Sequence, residues 1–348
     1  MKTSDFNYDL PESLIAQTPL ENRTDSRLLV VNKDSGDHVH EQFKNLHRYL
    51  KEGDVMVLND TAVIPARLIG VKKDTGAVIE VLLLHQKADD EWECLVKKAR
   101  KVRVGTTLSF GDGALTMECT GVEEEGIRLF KMHYSGIFYE LLERLGETPL
   151  PPYIHEKLDD PDRYQTVYSE KKGSAAAPTA GLHFTKPYLE SLRAMGIGIV
   201  HLTLHVGLGT FRPVSVEDVK NHVMHEEYYS VPEKTADAIN RAKRENRRIV
   251  AVGTTSLRTL ETVVDDEGTV HAGSGWSRLF VYPPYTFKAV DALLTNFHLP
   301  ESTLLMLVSA FASKAIIMDA YQAAIRERYR FFSFGDAMFL TGDHEPDQ

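Results

Sequence analysis

The apolar and polar positions of this chain follow three different rhythms. Around residues 54–65 an apolar run from Val55 to Leu58 ends in the polar turn Asn59-Asp60-Thr61 and resumes at Val63-Ile64-Pro65. That is the pattern of a buried strand followed by a turn. Between 67 and 134, short β-rich runs at 67–71, 78–84, 91–97, 101–110, 114–121 and 127–133 are separated by polar turns. Six short strands so spaced, with no helical period among them, predict a small β-barrel or sandwich. Residues 137–145 then read as one helix, closed by Gly146.

After a proline-rich loop at 148–153 the rhythm becomes an alternation. Helical spacing at 185–195, with Pro187 near its start where proline is tolerated, precedes a β-branched run at 197–206. An amphipathic stretch at 231–246 precedes an apolar strand at 248–252 and a helix at 257–264; the last helix, open to a break, spans 304–328. Strand–helix alternation of this kind predicts a layered α/β domain. The expected architecture is an α/β main domain built from both ends of the chain, residues 1–66 and 148–348, with a small antiparallel β-barrel domain, residues 67–147, inserted between them.

Composition adds exclusions. With 43% hydrophobic and 26% charged residues over 348 positions, there is ample apolar content for a core. The N-terminus has no basic segment leading into an apolar one, so no signal peptide is expected. The most apolar stretch, 304–318, is interrupted by Ser309, Ser313 and Lys314 and is too short to span a bilayer. Cys94 and Cys119 are too few for a disulfide framework or a four-thiolate zinc site. Two reduced thiols, a cytoplasmic location and no membrane partner are the expectation. The net charge of −10 speaks against a polyanionic partner only as a global sum. Lys97, Lys98, Arg100, Lys101 and Arg103 place five basic side chains within seven residues, and further clusters are Arg241, Lys243, Arg244, Arg247 and Arg248, and Arg326, Arg328 and Arg330. A solvated face accounts for any one of them; contact with an RNA backbone is the functional reading.

Four regions carry candidate chemistry. At 248–261 a strand, the turn Gly253-Thr254-Thr255-Ser256 and a helix start set free backbone amides beside hydroxyls, a site for a carboxylate or phosphate. The alternative is that Thr255 or Ser256 merely caps the helix. At 203–213 a Gly-x-Gly is followed by Thr210-Phe211-Arg212-Pro213, and the residue before proline avoids helical backbone. The dinucleotide-binding reading therefore fails, and a ligand loop offering Thr210 and Arg212 replaces it. Residues 173–185 are rich in small side chains and carry Thr179 and His183, an imidazole that ordinarily titrates near neutral pH. Segments 294–300 and 330–336 mix Asn296, His298 and Asp336 with Phe331, Phe332 and Phe334, a combination suited to stacking on a purine. Core packing accounts for each phenylalanine taken singly. No metal is expected. His201 and His205 lie four apart in an extended run, roughly 13 Å along a strand, and His222 and His225 have no third ligand at metal spacing.

The same segments resemble a known family. Residues 6–12, 14–19, 26–29, 57–61, 64–68, 164–168, 177–185, 203–213, 225–229, 253–256, 295–300 and 329–338 are similar to the S-adenosylmethionine:tRNA ribosyltransferase-isomerases of queuosine synthesis. The likeness runs from Phe6 to Met338, with glycine usual where this chain has Pro284 and tyrosine usual where it has Phe334. It implies an α/β domain with a small β-barrel, and it implies a reaction. The aminomethyl group of 7-aminomethyl-7-deazaguanine, at the wobble position of a tRNA anticodon loop, receives the ribosyl part of S-adenosylmethionine. Adenine and methionine leave, and the ribose becomes an epoxycyclopentanediol.

Such chemistry needs a base for the C5′ hydrogen, a deprotonated amine and a proton for departing adenine, each group contributing about 10²–10⁴ in rate. His183 and His205, then His298, are the candidate acid–base groups. Thr179, Thr210 and Asn296 are candidates for ribose hydroxyls, and Thr254 and Thr255 for the methionine carboxylate. Asp60, Glu226 and Asp336 are candidates for the sulfonium, the amine or the guanine-like edge, with Arg212 and Phe332 also at the substrate. Lys97, Lys98, Arg100, Lys101 and Arg103 are candidates for tRNA phosphates. S-adenosylmethionine enters as a substrate, no cofactor or metal is expected, and the chain is expected to be a monomer. Two rivals stand beside this reading: an S-adenosylmethionine enzyme acting on a small molecule, and an RNA-binding protein without catalysis. Dependence of adenine release on tRNA separates the first, and three motifs too polar for a disused core count against the second.

Overall fold

The computed structural model describes residues 1–207 and 214–342. It comprises two compact units. One is Met1–Thr61, Pro151–Lys171 and Ala177–Gln348; the other is Ala62–Leu150 with Lys172–Ala176.

The first unit is built on a nine-stranded mixed sheet. In spatial order its strands are Gly273–Ser277, Glu227–Val231, Gly198–Leu204, Val55–Asn59, Ile249–Val252, Ala292–Asn296, Ala337–Thr341, Arg27–Asn32 and His38–Gln42. The four from Gly198–Leu204 to Ala292–Asn296 are mutually parallel. Ala337–Thr341 then runs antiparallel to Ala292–Asn296 and parallel to Arg27–Asn32. Val55–Asn59, Ile249–Val252, Ala292–Asn296 and Ala337–Thr341 are buried at every position, as parallel strands covered on both faces must be. The two-residue period of a strand sorts their side chains into two cores. Val55, Val57, Ile249, Ala251 and Leu293 pack with Ile239, Leu257, Leu260, Leu305 and Ile317 from the helices Glu233–Arg244, Gly253–Val263, Thr303–Phe311 and Lys314–Arg326. Met56, Leu58, Val250, Val252 and Leu294 pack with Leu189 and Leu192 of the helix Lys186–Ala194 and with Phe43, Leu46 and Tyr49. This is the layered α/β arrangement that the alternation predicts.

In the second unit six antiparallel strands form a closed barrel. Arg67–Lys72, Val78–Ala88, Glu91–Val96, Ile127–Tyr134, Leu115–Val122 and Thr107–Phe110 are neighbours in that order, and the first pairs with the last. Closure leaves no free edge. Alternate residues, such as Trp92, Cys94 and Val96, or Leu115, Met117 and Cys119, are buried.

Three elements differ from the expectation. The strand expected at 101–110 is confined to Thr107–Phe110. Left-handed backbone at Lys98 (φ 62°) and Gly105 (φ 84°), with a 3-10 turn at Ala99–Lys101, interrupts the extended run. The helix expected from 257 begins at Gly253. The last helix is two helices bent by 113° between Phe311 and Lys314, and Ser313 caps the second through its hydroxyl. Among the described residues no single helix is long and apolar enough to cross a membrane.

Candidate functional site

The parallel strands Val55–Asn59, Gly198–Leu204, Ile249–Val252 and Ala292–Asn296 end on one edge of the sheet, where α/β folds place their ligand sites. Directly at those ends the chain carries Asp60, His205, Gly253-Thr254-Thr255, and Asn296 with His298. A cleft of about 550 Å³ opens there, lined by Tyr153, Thr179, Val206, Gly253, Thr254, Thr255, Thr295, Asn296, His298, Phe332 and Ser333, among others. The fold thus brings six of the sequence-derived candidates, Thr179, Thr254, Thr255, Asn296, His298 and Phe332, to one cavity.

One wall is the start of the helix Gly253–Val263. The first amides of a helix lack intrahelical acceptors, and the residue preceding this one, Val252, supplies no side-chain acceptor. Neither Thr255 nor Ser256 acts as a cap; the hydroxyls of both are buried without a hydrogen-bond partner. The result is a donor-rich end facing a cavity. The opposite wall is aromatic. Phe332 and Tyr153 have ring centroids 4.8 Å apart, and the Tyr153 hydroxyl lies 2.6 Å from the Ser333 hydroxyl. Phe332 has a left-handed φ of 69°, a conformation that costs a non-glycine residue about 1–3 kcal/mol and is concentrated at ligand sites.

Asn296 connects this cleft to His183. Its amide nitrogen donates to the Phe332 carbonyl at 3.1 Å and lies 3.3 Å from His183 Nε2. Since that nitrogen is a donor, Nε2 accepts, and the ring proton sits on Nδ1, 2.7 Å from the Ser26 hydroxyl. Ser26 in turn donates to the Arg23 carbonyl at 3.4 Å. The His183 ring stacks on Phe43 at 4.9 Å. Burial, aided by the charges of Arg23 and Arg330, pushes its pKa down to about 3. His183 is therefore a neutral, fully hydrogen-bonded spacer. Asn296 Oδ1 is buried without a partner.

His298 is likewise neutral: burial alone lowers it to about 3, and its Nε2 lies 2.8 Å from the Thr295 hydroxyl. His205 is different. It is only half-buried, its Nδ1 lies 2.7 Å from the Thr61 hydroxyl, and its ring stacks on Tyr228 at 5.7 Å.

The other candidates are dispersed. Asp60 accepts from the Thr203 hydroxyl at 2.6 Å, and burial raises its carboxyl above the ordinary value. Asp336 spends both oxygens on backbone amides, those of Arg27 and Arg330, each at 2.8 Å. Glu226 pairs with Arg278 at 2.7 Å on the surface. Lys97, Lys98, Arg100, Lys101 and Arg103 are exposed on the barrel unit, around the turn Ala99–Lys101, with Lys97 paired to Glu80 at 3.4 Å. Thr210 and Arg212 lie outside the described residues. Among the described residues no three His, Cys, Asp or Glu side chains gather as a metal site.

Sequence reasoning missed several groups. Tyr153 comes from a proline-rich loop and Ser26 from a segment read only as a likeness. Glu227 and Arg258 form a buried ion pair. Glu227 also accepts from the Gly207 amide at 3.2 Å, and Arg258 Nη2 is buried without a partner. A second cleft of about 320 Å³ lies on the other side of His183, lined by Arg23, Ser26, Arg163, Leu182, Ser333 and Gly335, among others. Phe334, at its wall, packs edge-on against Tyr164 at 5.7 Å. No local pattern marks these residues, because each acquires its role only through partners far away in the chain.

Comparison with known proteins agrees with the fold. A family described as "Queuosine biosynthesis protein" matches residues 3–340. A protein of Staphylococcus haemolyticus named S-adenosylmethionine:tRNA ribosyltransferase-isomerase is 56% identical over 340 residues, covering 98% of this chain and 100% of the relative. One of the same name from Caldanaerobacter subterraneus subsp. tengcongensis is 57% identical with the same coverage. The crystal structure of an S-adenosylmethionine tRNA ribosyltransferase from Thermotoga maritima is similar at a TM-score of 0.56 and 39% identity, covering 97% of this chain and 100% of that one. The chain belongs to the queuosine biosynthesis protein family.

Proposed function

We propose that this chain transfers and isomerises the ribosyl group of S-adenosylmethionine onto the aminomethyl group of 7-aminomethyl-7-deazaguanine at the tRNA wobble position, releasing adenine and methionine. It does so as a monomer in the cytoplasm, without a further cofactor. The observation that carries the reading is the single cleft at the carboxyl ends of the parallel strands, which gathers Thr179, Thr254, Thr255, Asn296, His298 and Phe332.

The donor-rich start of Gly253–Val263 suits the methionine carboxylate. The helix dipole contributes about 0.3–1 kcal/mol, and the free hydroxyl of Thr255 adds a directed hydrogen bond. Thr179 and the unpartnered Asn296 Oδ1 suit ribose hydroxyls, since a carbonyl oxygen accepts what a hydroxyl donates. Phe332 and Tyr153 suit the face of a purine-like base. Extruding the wobble base costs a few kcal/mol, which such stacking offsets.

For the proton transfers, an efficient base has a pKa near the working pH. His183 and His298, held neutral near 3, are poor bases and serve to position Asn296 and Thr295. His205, half-exposed beside the cleft residue Val206, is the group assigned to the C5′ proton. Exposed Lys97, Lys98, Arg100, Lys101 and Arg103 remain candidates for tRNA phosphates.

The test is to incubate the protein with S-adenosylmethionine and tRNA carrying the aminomethyl-deazaguanine, and to measure adenine and methionine. Release of both that requires that tRNA supports the reading. Release without tRNA moves the small-molecule reading to the front, and no release refutes transferase activity.

A further inference from the structure

The smaller cleft has an unusual electrostatic construction. Arg23 donates to the Leu182 carbonyl at 3.0 Å and to the Asp162 carbonyl at 3.2 Å. Arg163 donates to the Leu20 carbonyl and Arg330 to the Thr18 carbonyl. Among the described residues none of the three guanidiniums forms an ion pair with a carboxylate; backbone oxygens alone hold them. Backbone carbonyls fix the direction of a guanidinium but leave its charge uncompensated. Burial and the Arg163 charge both work against the Arg23 cation, with Asp160 offsetting part of this. Burial works against Arg330, where Asp336 offsets part but has both oxygens on backbone amides. Arg330 Nη1 is buried without a hydrogen-bond partner.

The like charges of Arg23 and Arg163, only partly offset by Asp160, oppose one another in the free protein and become favourable once an anion sits between them. The cleft is open to solvent and offers the hydroxyl of Ser333 beside Arg23 and Arg163. Ser333 also lines the larger cleft, so a ligand spanning both would cross at that residue. A base in one cleft and a tetrahedral anion held by guanidiniums in the other is the shape of a nucleotide with its backbone.

We propose that the cleft lined by Arg23 and Arg163 binds a phosphodiester of the RNA substrate, the one adjoining the nucleotide whose base enters the larger cleft. This inference rests on the functional reading above. It assigns the site to RNA backbone, not to the carboxylate of S-adenosylmethionine or to free phosphate.

The experiment uses the full chain and an anticodon stem-loop RNA carrying the aminomethyl-deazaguanine. Binding is measured between about 50 and 200 mM salt for the wild type, R163Q and R163K. Arg163 is chosen because its side chain makes one backbone bond that glutamine can replace. R163Q is expected to bind the RNA about tenfold more weakly and to lower the salt slope by about 0.7, while S-adenosylmethionine binding by equilibrium dialysis is unchanged; R163K recovers most of the slope. A series of stem-loops, each with one neutral methylphosphonate, is expected to contain one position that weakens the wild type and not R163Q. Equal affinity and slope for wild type and R163Q overturn the inference, as does weakened S-adenosylmethionine binding in R163Q or competition of inorganic phosphate with S-adenosylmethionine alone. A wild type that neither binds the stem-loop nor releases adenine with it refutes the functional reading instead; a wild type that does both, beside an unaltered R163Q, refutes only this inference.

Discussion

In the larger cleft the polar groups are neutral and two lack partners, the hydroxyl of Thr255 and the amide oxygen of Asn296, while the helix Gly253–Val263 starts there without a side-chain cap. In the smaller cleft the guanidiniums of Arg23 and Arg163 are cationic, and backbone carbonyls hold both in place. Unpartnered neutral dipoles can follow charge as it develops in a reacting ligand, because they are fixed before the ligand arrives. Fixed cations without counter-charge do little for a reaction at a distance but bind an existing anion well. The contrast assigns chemistry to the first cleft and grip to the second. Variants in the first should change kcat or the KM for S-adenosylmethionine, and variants in the second the KM for RNA.

The largest effect expected is at His205. Its replacement by alanine removes the half-buried histidine beside the cleft residue Val206, and kcat should fall by about 10²–10⁴ with the KM for tRNA little changed. Adenine release under saturating substrates reads this directly. A fall of less than threefold would return the proton transfer to a carboxylate such as Asp60, whose raised pKa makes it the next base.

Asn296→Leu should come second, as a stability effect. The substitution leaves His183 Nε2 and the Phe332 carbonyl unpaired inside the protein, at about 1–3 kcal/mol for each buried group. Urea denaturation should show a loss of at least 2 kcal/mol. If stability held while activity vanished, Asn296 would be a ligand contact only, and the hydrogen-bond chain through Ser26 and His183 would lose its meaning as a positioning device.

The two clefts also differ in how far sequence could anticipate them. The larger is built from contiguous motifs: Gly253 to Ser256, Thr295 to His298, and Thr179 to His183 each bring several polar groups within a few residues, and a strand preceding a turn shows where they end up. The layered α/β domain and the barrel were equally legible, since buried central strands and period-two alternation are local properties. The smaller cleft was not. Arg23 and Arg163 lie in segments that carry no candidate motif, and what makes them a site is that backbone carbonyls hold both guanidiniums at one cleft. The surroundings of Asp336 depend on distant partners in the same way. Its segment predicts a carboxylate near the site, but only the fold shows that Arg27 and Arg330 amides consume both oxygens. His183 and His298 were found, yet their protonation depends on burial that the chain's local pattern does not carry.

That burial gives a pH test. The folded pKa of His298 is depressed to about 3, against about 6.5 in an unfolded chain. The unfolded state therefore binds the extra proton first, and stability is lost as the pH falls below about 6.5. A His298→Gln variant lacks this linkage. Between pH 7 and 5 the wild type should lose about 2 kcal/mol relative to the variant. The raised carboxyls of Asp336 and Glu261 act with opposite sign, but equally in both proteins, so they cancel in the difference. A difference that does not vary with pH would mean that His298 titrates alike in the folded and unfolded chains and is not held neutral by burial.

The smallest effect separates binding from stability within one side chain. Thr255→Val keeps the shape and β-branching of threonine and removes only the hydroxyl, which is buried without a partner in the free protein. Deleting an unsatisfied polar atom relieves a desolvation cost, so the thermal midpoint should stay level or rise. If that hydroxyl is kept unpaired in order to meet the methionine carboxylate, its loss removes one charge-assisted hydrogen bond. The KM for S-adenosylmethionine should then rise by about tenfold, with kcat and RNA affinity unchanged, because the carboxylate is remote from the reacting ribose. Stability and affinity moving in opposite directions is the signature of a group reserved for a ligand. A variant with unaltered KM would show instead that the helix amides alone hold the carboxylate, and that the free hydroxyl is a packing accident.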